Sequence, residues 1–183
     1  MELEHKFSRL GGDVTVTSGE AGTVISGYAS LFGALDQGGD VVAAGAYAAS
    51  LAALKARGGT VKMLWQHDPA QPIGVWDEVR EDAKGLWVKG RILTDVARGR
   101  EAVALIAAGA IDGLSIGYRT RKATKEARGG RLLAELELWE VSLVTFPMLP
   151  EARVAAKGDD PEAAMLRELA AVFHDARGLL VSD

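Results

Sequence analysis

Cysteine is absent from the 183-residue chain, and histidine occurs three times, as His5, His67 and His174. The lack of cysteine excludes disulfides, thiolate nucleophiles and zinc sites with cysteine ligands. A three-histidine metal site would need distant segments to converge. The HExxH, Walker A and strand-to-helix GxGxxG motifs are also missing. We therefore expect that the chain, if it is an enzyme, works without a metal or nucleotide cofactor.

Long apolar runs and an excess of positive charge are lacking as well. No run approaches the roughly 18 apolar residues that span a bilayer. The first ten residues, MELEHKFSRL, are charged and do not resemble a signal peptide. The net charge of -4 provides no basic field that would attract nucleic acid. These features predict a cytoplasmic protein whose partners include neither nucleic acid nor membrane.

Glycine-punctuated segments with alternating apolar residues dominate the chain. Such segments predict a mainly β (α+β) fold with antiparallel strands rather than βαβ units. The predicted strands are 23–32, 60–68, 72–82 and 85–93, followed by a hairpin with arms 112–124 and 131–146. The apolar spacing predicts helices over 47–57 and from about 95 to 108.

The composition changes after Pro147 and Pro150. The stretch AAKGDD at 155–160 is typical of a linker, and Asp160 followed by Pro161 is a strong signal for the start of a helix. The sequence therefore predicts a β domain over residues 1–154, a linker over 155–160 and a C-terminal helical segment over 161–183.

One short motif, G-x-S-x-G, spans residues 113–117 and contains Ser115. In α/β-hydrolases this motif forms a nucleophile elbow, in which a helix follows the serine at once. Here residues 118–130 are polar and show no apolar helical stripe. The only histidine after the serine is His174, beyond the predicted linker. We therefore expect Ser115 to lie on a strand and the elbow interpretation to fail.

The predicted hairpin indicates which residues lie near Ser115. With a turn near residues 128–129, residues whose numbers sum to about 257 face each other across the two strands. This register places Ser115 opposite Ser142. It places Glu140 one diagonal step away, within roughly 5–8 Å at the Cβ atoms.

The direction of the Glu140 side chain follows from strand alternation. Glu140 has the same parity as Leu136 and Leu138, so in a regular strand it would point to their face. A carboxylate on an apolar face requires a partner. A bulge at Trp139 would reverse this direction and leave Glu140 as an ordinary edge carboxylate.

His67 is the one histidine in the middle of the chain. It ends a predicted strand, and the following Asp68 and Pro69 are expected to take the chain out of the sheet. A surface histidine at a turn is the simpler interpretation of this residue alone. An imidazole at a strand end can also reach a shallow site.

Together these residues form a consistent catalytic triad. Ser115 would be the nucleophile, His67 the general base and Glu140 the group that orients the imidazole. Backbone amides or the arginines at 119 and 121 could stabilise an oxyanion.

Four segments then carry a resemblance to a known family. They are ISGYASLFGALDQGGDVVAAGAYAASL (25–51), VKMLWQHDPAQPIGVW (61–76), IDGLSIGYRT (111–120) and LWEVSLVTFPMLPEA (138–152). In this order they resemble the prohead (capsid maturation) serine proteases of tailed phages and related gene-transfer particles. That family is similar in fold to the herpesvirus assemblin proteases.

The resemblance implies an antiparallel β-barrel surrounded by helices, as in herpesvirus proteases, and no cofactor. It implies a serine endopeptidase whose catalytic residues correspond to Ser115, His67 and Glu140. The enzyme would act inside the immature capsid, cut the scaffolding segment from the major capsid protein precursor, and then cut itself. The resemblance says little about residues 153–183. Independently of it, we expect a homo-oligomer and a C-terminal segment, 161–183, that is either self-cleaved or docks on the capsid protein precursor.

Two other classes of function stay open. The chain could be a non-catalytic β-barrel that acts as a scaffold or adaptor in particle assembly, with an idle serine. It could also be an esterase of the hydrolase fold, in which case His174 rather than His67 would serve the serine.

Overall fold

The computed structural model describes residues 4–8, 15–19, 22–125, 130–146 and 155–156. Within these ranges the chain forms ten strands and two helices. In chain order they are β1 (Glu4–Ser8), β2 (Thr15–Gly19), β3 (Gly22–Leu31), β4 (Val41–Val42), α1 (Ala48–Ala56), β5 (Lys62–Trp65), β6 (Asp68–Glu81), β7 (Gly85–Ile92), α2 (Ala97–Ala107), β8 (Gly113–Lys125), β9 (Arg131–Val144) and β10 (Ala155–Ala156). The helices predicted over 47–57 and about 95–108 and the hairpin predicted over 112–146 are confirmed to within a few residues.

The strands form one sheet in the order β1-β8-β9-β5-β6-β7-β3-β2-β10, with β4 paired to β9. It curls strongly into a half-barrel, and it is mixed rather than antiparallel. β5 and β4 run parallel to β9, and β10 runs parallel to β2. The prediction of an antiparallel barrel surrounded by helices is therefore wrong in these respects. Two parallel strands that pair in a sheet are joined by a long crossover connection. The hydrophobic pattern of segments that are neighbours in the sequence therefore does not indicate that two such strands pair.

The core lies within the curl of the sheet and under the two helices. Its fully buried members include Ile25, Tyr47, Ile73, Leu86, Leu114 and Leu133. Helix α1 contributes Leu54 to this core and packs Leu51 against it, as the apolar spacing predicts. Helix α2 contributes Ala102 and Ile106.

The β8–β9 hairpin has the predicted register around Ser115. Ser115 faces Ser142, and Gly117 faces Glu140. These two pairs lie on one face of the hairpin, because residues two apart on a strand share a face. The hairpin therefore places Ser115 and Glu140 side by side.

A bulge at Trp139 changes the direction of the residues that follow it. The register passes from Gly117 opposite Glu140 directly to Tyr118 opposite Leu138, which leaves Trp139 as the extra residue. Leu138 before the bulge and Val141 after it both belong to the core. Glu140 therefore points to the opposite face, as expected for a strand with a bulge at Trp139 rather than for a regular strand. It is buried, however, and is not the edge carboxylate that the bulge was expected to leave.

β5 and β6 are joined by a two-residue turn made of Gln66 and His67. Both residues have positive φ, 52° and 62°, which is the conformation of a type I′ hairpin turn. Asp68 begins β6 as the register partner of Trp65. The expectation that the chain leaves the sheet at Asp68 is therefore wrong. Residues 69–71 have no register partner on β5, and the pairing resumes at Pro72.

The predicted division into a 1–154 domain, a linker and a C-terminal segment stays a prediction. Ala155 and Ala156, from the stretch predicted as a linker, pair with Thr15 and Val16. The predicted helical segment 161–183 lies outside the described residues. Among the residues that are described, no helix is long and apolar enough to cross a membrane.

Candidate active site

Ser115, His67 and Glu140 form a continuous chain of side-chain contacts. Ser115 Oγ lies 2.6 Å from His67 Nε2. His67 Nδ1 lies 2.5 Å from Glu140 Oε1. The tautomer that fits both contacts has the Ser115 hydroxyl donating to Nε2 and Nδ1–H donating to the carboxylate. The arrangement joins a hydroxyl to a base, and the base to a group that orients it.

Different elements supply the three side chains. Ser115 is on β8, Glu140 is on β9 just after the bulge, and His67 is the second residue of the β5–β6 turn. The parallel pairing of β5 with β9 brings them together, because Leu64 lies opposite Ser142. The Gln66 N–H also donates to Leu143 O at 2.9 Å and holds the turn against β9.

The left-handed conformation of His67 is uncommon for a residue with a side chain, and such positions concentrate at functional sites. Contacts around the turn hold it there. Gln66 Nε2 donates to Thr145 Oγ1 at 2.7 Å. On the other side, Asp68 accepts hydrogen bonds from Ala70 N–H and the Gln71 amide, which lower the pKa of the Asp68 carboxyl.

Ser142 is a further member of this cluster. Its hydroxyl donates to Glu140 Oε2 at 2.5 Å and accepts the His67 backbone N–H at 3.2 Å. It therefore contacts both the carboxylate and the backbone that carries the imidazole. The predicted register places Ser142 opposite Ser115 but assigns it no role. The feature of the sequence that could have indicated a role for Ser142 is its position two residues after Glu140, which places both side chains on the same face of the strand.

Gly117 leaves the space that the Glu140 carboxylate occupies. A Cβ atom at Gly117 would lie 2.2 Å from Glu140 Oε1 and 2.9 Å from Cγ and Cδ. A methyl group therefore cannot be added without moving the carboxylate. This contact gives the second glycine of G-x-S-x-G a role unrelated to a nucleophile elbow, and β8 continues as a strand for eight residues beyond it, to Lys125.

The site is deeply buried. Ser115 and Ser142 are 0% exposed, and Glu140 is 4% exposed. The His67 side chain is 11% exposed. A charged carboxylate at this depth requires strong partners, and His67 and Ser142 supply them.

The two arginines suggested as oxyanion stabilisers lie further along β8. The Arg119 guanidinium lies 4.5 Å from the centre of the Trp139 ring, and Arg121 pairs with Glu137. An oxyanion role for these residues stays a prediction.

A cavity of about 480 Å³ lies elsewhere, between α1 and β6. Leu54, Trp76 and Val79 are among the residues that line it, and neither Ser115 nor His67 is. Among the described residues, no group of three or more histidine, aspartate or glutamate side chains is placed to hold a metal ion. The Ser115 cluster is therefore the candidate site for chemistry.

Comparison with known proteins identifies the family. A family model described as Caudovirus prohead serine protease matches residues 13–165. The chain belongs to this family. It is thus one of the prohead serine proteases of tailed phages, and the resemblance seen in the sequence is confirmed.

One relative supports this assignment, and one solved structure supports the fold. The prohead protease of Enterobacteria phage HK97 is 30% identical over 163 residues, which cover 87% of this chain and 71% of that protein. The bacteriophage T4 capsid assembly protease gp21 has a similar fold, with a TM-score of 0.63 at 17% identity. That match covers 80% of this chain and 98% of the T4 chain. The predicted likeness to herpesvirus proteases stays a prediction.

Proposed function

We propose that this prohead protease is a serine endopeptidase that uses Ser115, His67 and Glu140 as its catalytic residues. The observation that carries the proposal is the unbroken contact from Ser115 Oγ through the imidazole to the Glu140 carboxylate. Contacts of this kind activate a hydroxyl that is otherwise a poor nucleophile. The family assignment supports the class of reaction.

In the proposed reaction, Ser115 Oγ attacks the carbonyl carbon of a peptide bond while its proton passes to His67 Nε2. The Glu140 carboxylate accepts the Nδ1–H throughout and stabilises the imidazolium. The tetrahedral intermediate collapses as Nε2 returns the proton to the leaving amine, which gives an acyl-enzyme. A water molecule, deprotonated by the same imidazole, then hydrolyses the ester and restores the Ser115 hydroxyl.

We further propose that the substrate is the major capsid protein precursor, from which the enzyme removes the scaffolding segment inside the immature capsid. The enzyme also cleaves its own chain and acts as a homo-oligomer. The names of the family and of the HK97 and T4 relatives, which are prohead and capsid assembly proteases, support this substrate class.

The burial of Ser115 favours a second candidate function, that of a non-catalytic scaffold or adaptor. Ser115 is 0% exposed, which would suit a structural serine in a non-catalytic scaffold or adaptor. The esterase alternative requires His174 beside the serine, whereas His67 occupies that position. The predictions for the His67→Ala and His174→Ala variants therefore differ: in the proposed protease, only His67→Ala abolishes cleavage.

Co-expression with the major capsid protein of the neighbouring reading frame tests the proposal. The chain is expressed as wild type, as Ser115→Ala, and as Ser30→Ala, a control that alters another fully buried serine, one hydrogen-bonded to Tyr47. Intact mass spectrometry follows both proteins. We expect wild type and Ser30→Ala to trim the capsid protein and Ser115→Ala to leave it whole. Equal trimming by all three, or none while shells still assemble, would favour the scaffold function.

A further inference from the structure

The strand β1 runs antiparallel along the part of β8 that carries Ser115. Phe7 is the register partner of Ser115, and His5 is the partner of Gly117. β1 is the first strand in the sheet order, with β8 as its neighbour. Residues 4–8 of the chain therefore occupy the edge of the sheet directly beside the proposed nucleophile.

An endopeptidase built on this strand needs that edge. Its substrate must place a carbonyl carbon about 3 Å from Ser115 Oγ, and an extended peptide does so most simply by adding to the sheet as a strand. The other edge of β8 is paired with β9 from Gly113 to Lys125. The side of β8 that β1 covers is therefore the side where a substrate strand can be added.

The burial of the site agrees with an occupied edge. The Ser115 side chain has no exposed surface. A nucleophile in this state cannot meet a carbonyl group until part of the surrounding structure moves. β1 is a short strand at the end of the sheet, and it pairs with five residues of β8.

We propose that β1 occupies the position of the substrate strand, so that the folded chain blocks its own active site until residues 4–8 leave the edge. The inference rests on the proposed protease function. The ligand of the vacated edge is an extended polypeptide recognised mainly through its backbone. β1 covers β8 from Leu114 to Tyr118, whereas β8 continues to Lys125. A substrate strand that pairs with β8 beyond Tyr118 forms main-chain hydrogen bonds additional to those of residues 4–8, which favours displacement of β1.

Proline variants of the full-length chain test whether β1 limits access to Ser115. Backbone N–H groups along an antiparallel strand point alternately toward the partner and away from it. Lys6 and Phe7 are adjacent, so the N–H of one points toward β8 and the N–H of the other points away from it. One of the variants Lys6→Pro and Phe7→Pro therefore removes a backbone hydrogen bond between β1 and β8, and the other does not. We expect at least one of them to react with a fluorophosphonate at Ser115 about tenfold faster than wild type. Lys6→Ala keeps the N–H and should react at the wild-type rate.

Binding in a Ser115→Ala background tests the strand position without any chemistry. The probe is a synthetic peptide with the sequence of residues 2–10, ELEHKFSRL. We expect it to bind the releasing proline variant, to protect from hydrogen exchange those β8 amides between Leu114 and Tyr118 that point toward the vacated edge, and not to bind Ser115→Ala alone. Equal binding to both, or binding to neither, would overturn the strand proposal. The peptide could also bind as expected while no chain that retains Ser115 is labelled by the fluorophosphonate. That result would contradict the assignment of Ser115 as the nucleophile and leave the strand proposal intact.

Discussion

Gly117, the smallest residue in the site, determines where the carboxylate of Glu140 can lie. Gly117→Ala would place a methyl group within 2.2 Å of Oε1, and the carboxylate has little room because it is 4% exposed. We expect kcat on a peptide spanning the capsid cleavage site to fall about a hundredfold or more, since loss of the orienting carboxylate can cost about 10⁴-fold. Steady-state kinetics of the purified variant measure this.

A double-mutant cycle separates this clash from other effects of the added methyl group. In the Glu140→Ala background the new methyl group has space, so Gly117→Ala should destabilise the chain less there than in wild type. We expect a coupling of about 1–3 kcal/mol between the two substitutions in urea unfolding. Additive free energies would show that the methyl group does not act through the carboxylate.

We expect Ser142 to act as a positioning residue, since its hydroxyl contacts Glu140 and the backbone of His67. Ser142→Ala removes a hydrogen bond to a charged group, worth about 1.5–3 kcal/mol, so we expect kcat to fall about 10- to 100-fold. KM should change by less than about twofold, because the substitution is not expected to alter contacts that bind the substrate equally in its ground state and its transition state. Ser30→Ala, which removes a buried hydrogen bond to Tyr47, should lower Tm and leave kcat unchanged. Equal kcat in the two variants would show that Ser142 has only a structural role.

That Ser115 and Glu140 lie close together was predictable from local sequence pattern, whereas the directions of the side chains in the candidate site were not. The register that pairs Ser115 with Ser142 follows from the position of one turn, which the sequence marks with glycines. The direction of Glu140 depends on the bulge at Trp139, and no residue type in that stretch requires a bulge. The left-handed turn at Gln66 and His67 was equally hidden, because neither residue is a glycine or an asparagine.

The turn between β6 and β7 is held in place by the carboxylate of Asp82. Asp82 accepts hydrogen bonds from Tyr28 Oη, the N–H groups of Lys84 and Gly85, and the Arg80 guanidinium. Desolvation raises the pKa of the Asp82 carboxyl, but these hydrogen bonds outweigh it and lower the pKa to about 2. The depressed pKa means that Asp82 stabilises the fold fully above the ordinary value near 3.9, and that this contribution is lost as the pH falls toward 2.

The variant Asp82→Asn tests this contribution. At pH 7 we expect it to lower the free energy of unfolding by about 1–2 kcal/mol, because Tyr28 and Arg80 lose their acceptor. The difference from wild type should shrink between about pH 4 and pH 2 as the wild-type carboxyl becomes protonated. Urea unfolding across this range measures it. Asp77→Asn is the control, since Asp77 forms an exposed pair with Arg91 that should be worth less than about 1 kcal/mol. A difference that is constant with pH would contradict the assignment.

Helices and hairpins were predicted well because their signals lie within a few residues. The spacing of Leu51 and Leu54 fixes α1, and the glycine-rich turn fixes the β8–β9 hairpin. The parallel pairing of β5 with β9 had no such signal, because β6, β7, α2 and β8 intervene between the two strands. That pairing changes an expected antiparallel barrel into a mixed half-barrel.

At the scale of the whole molecule, the β5–β9 junction joins the part of the chain that supplies His67 to the hairpin that supplies Ser115 and Glu140. Leu143 lies at this junction, with Leu114 as its partner on β8 and Trp65 as its partner on β5. It is fully buried, and its carbonyl accepts the hydrogen bond from the Gln66 N–H. The integrity of the site and the folding of the sheet therefore depend on the same contacts.

Leu143→Ala tests this dependence. Removing a fully buried leucine side chain should lower the free energy of unfolding by about 2–5 kcal/mol. Leu35→Ala, at a leucine that is 56% exposed, should change it by less than about 0.5 kcal/mol. Urea unfolding is followed by tryptophan fluorescence and by far-UV circular dichroism. If the junction makes the sheet one cooperative unit, both signals of Leu143→Ala shift together to lower urea. A fluorescence transition that separates from the circular dichroism transition would mean that the sheet does not unfold as one cooperative unit, which would contradict the dependence of the whole sheet on this junction.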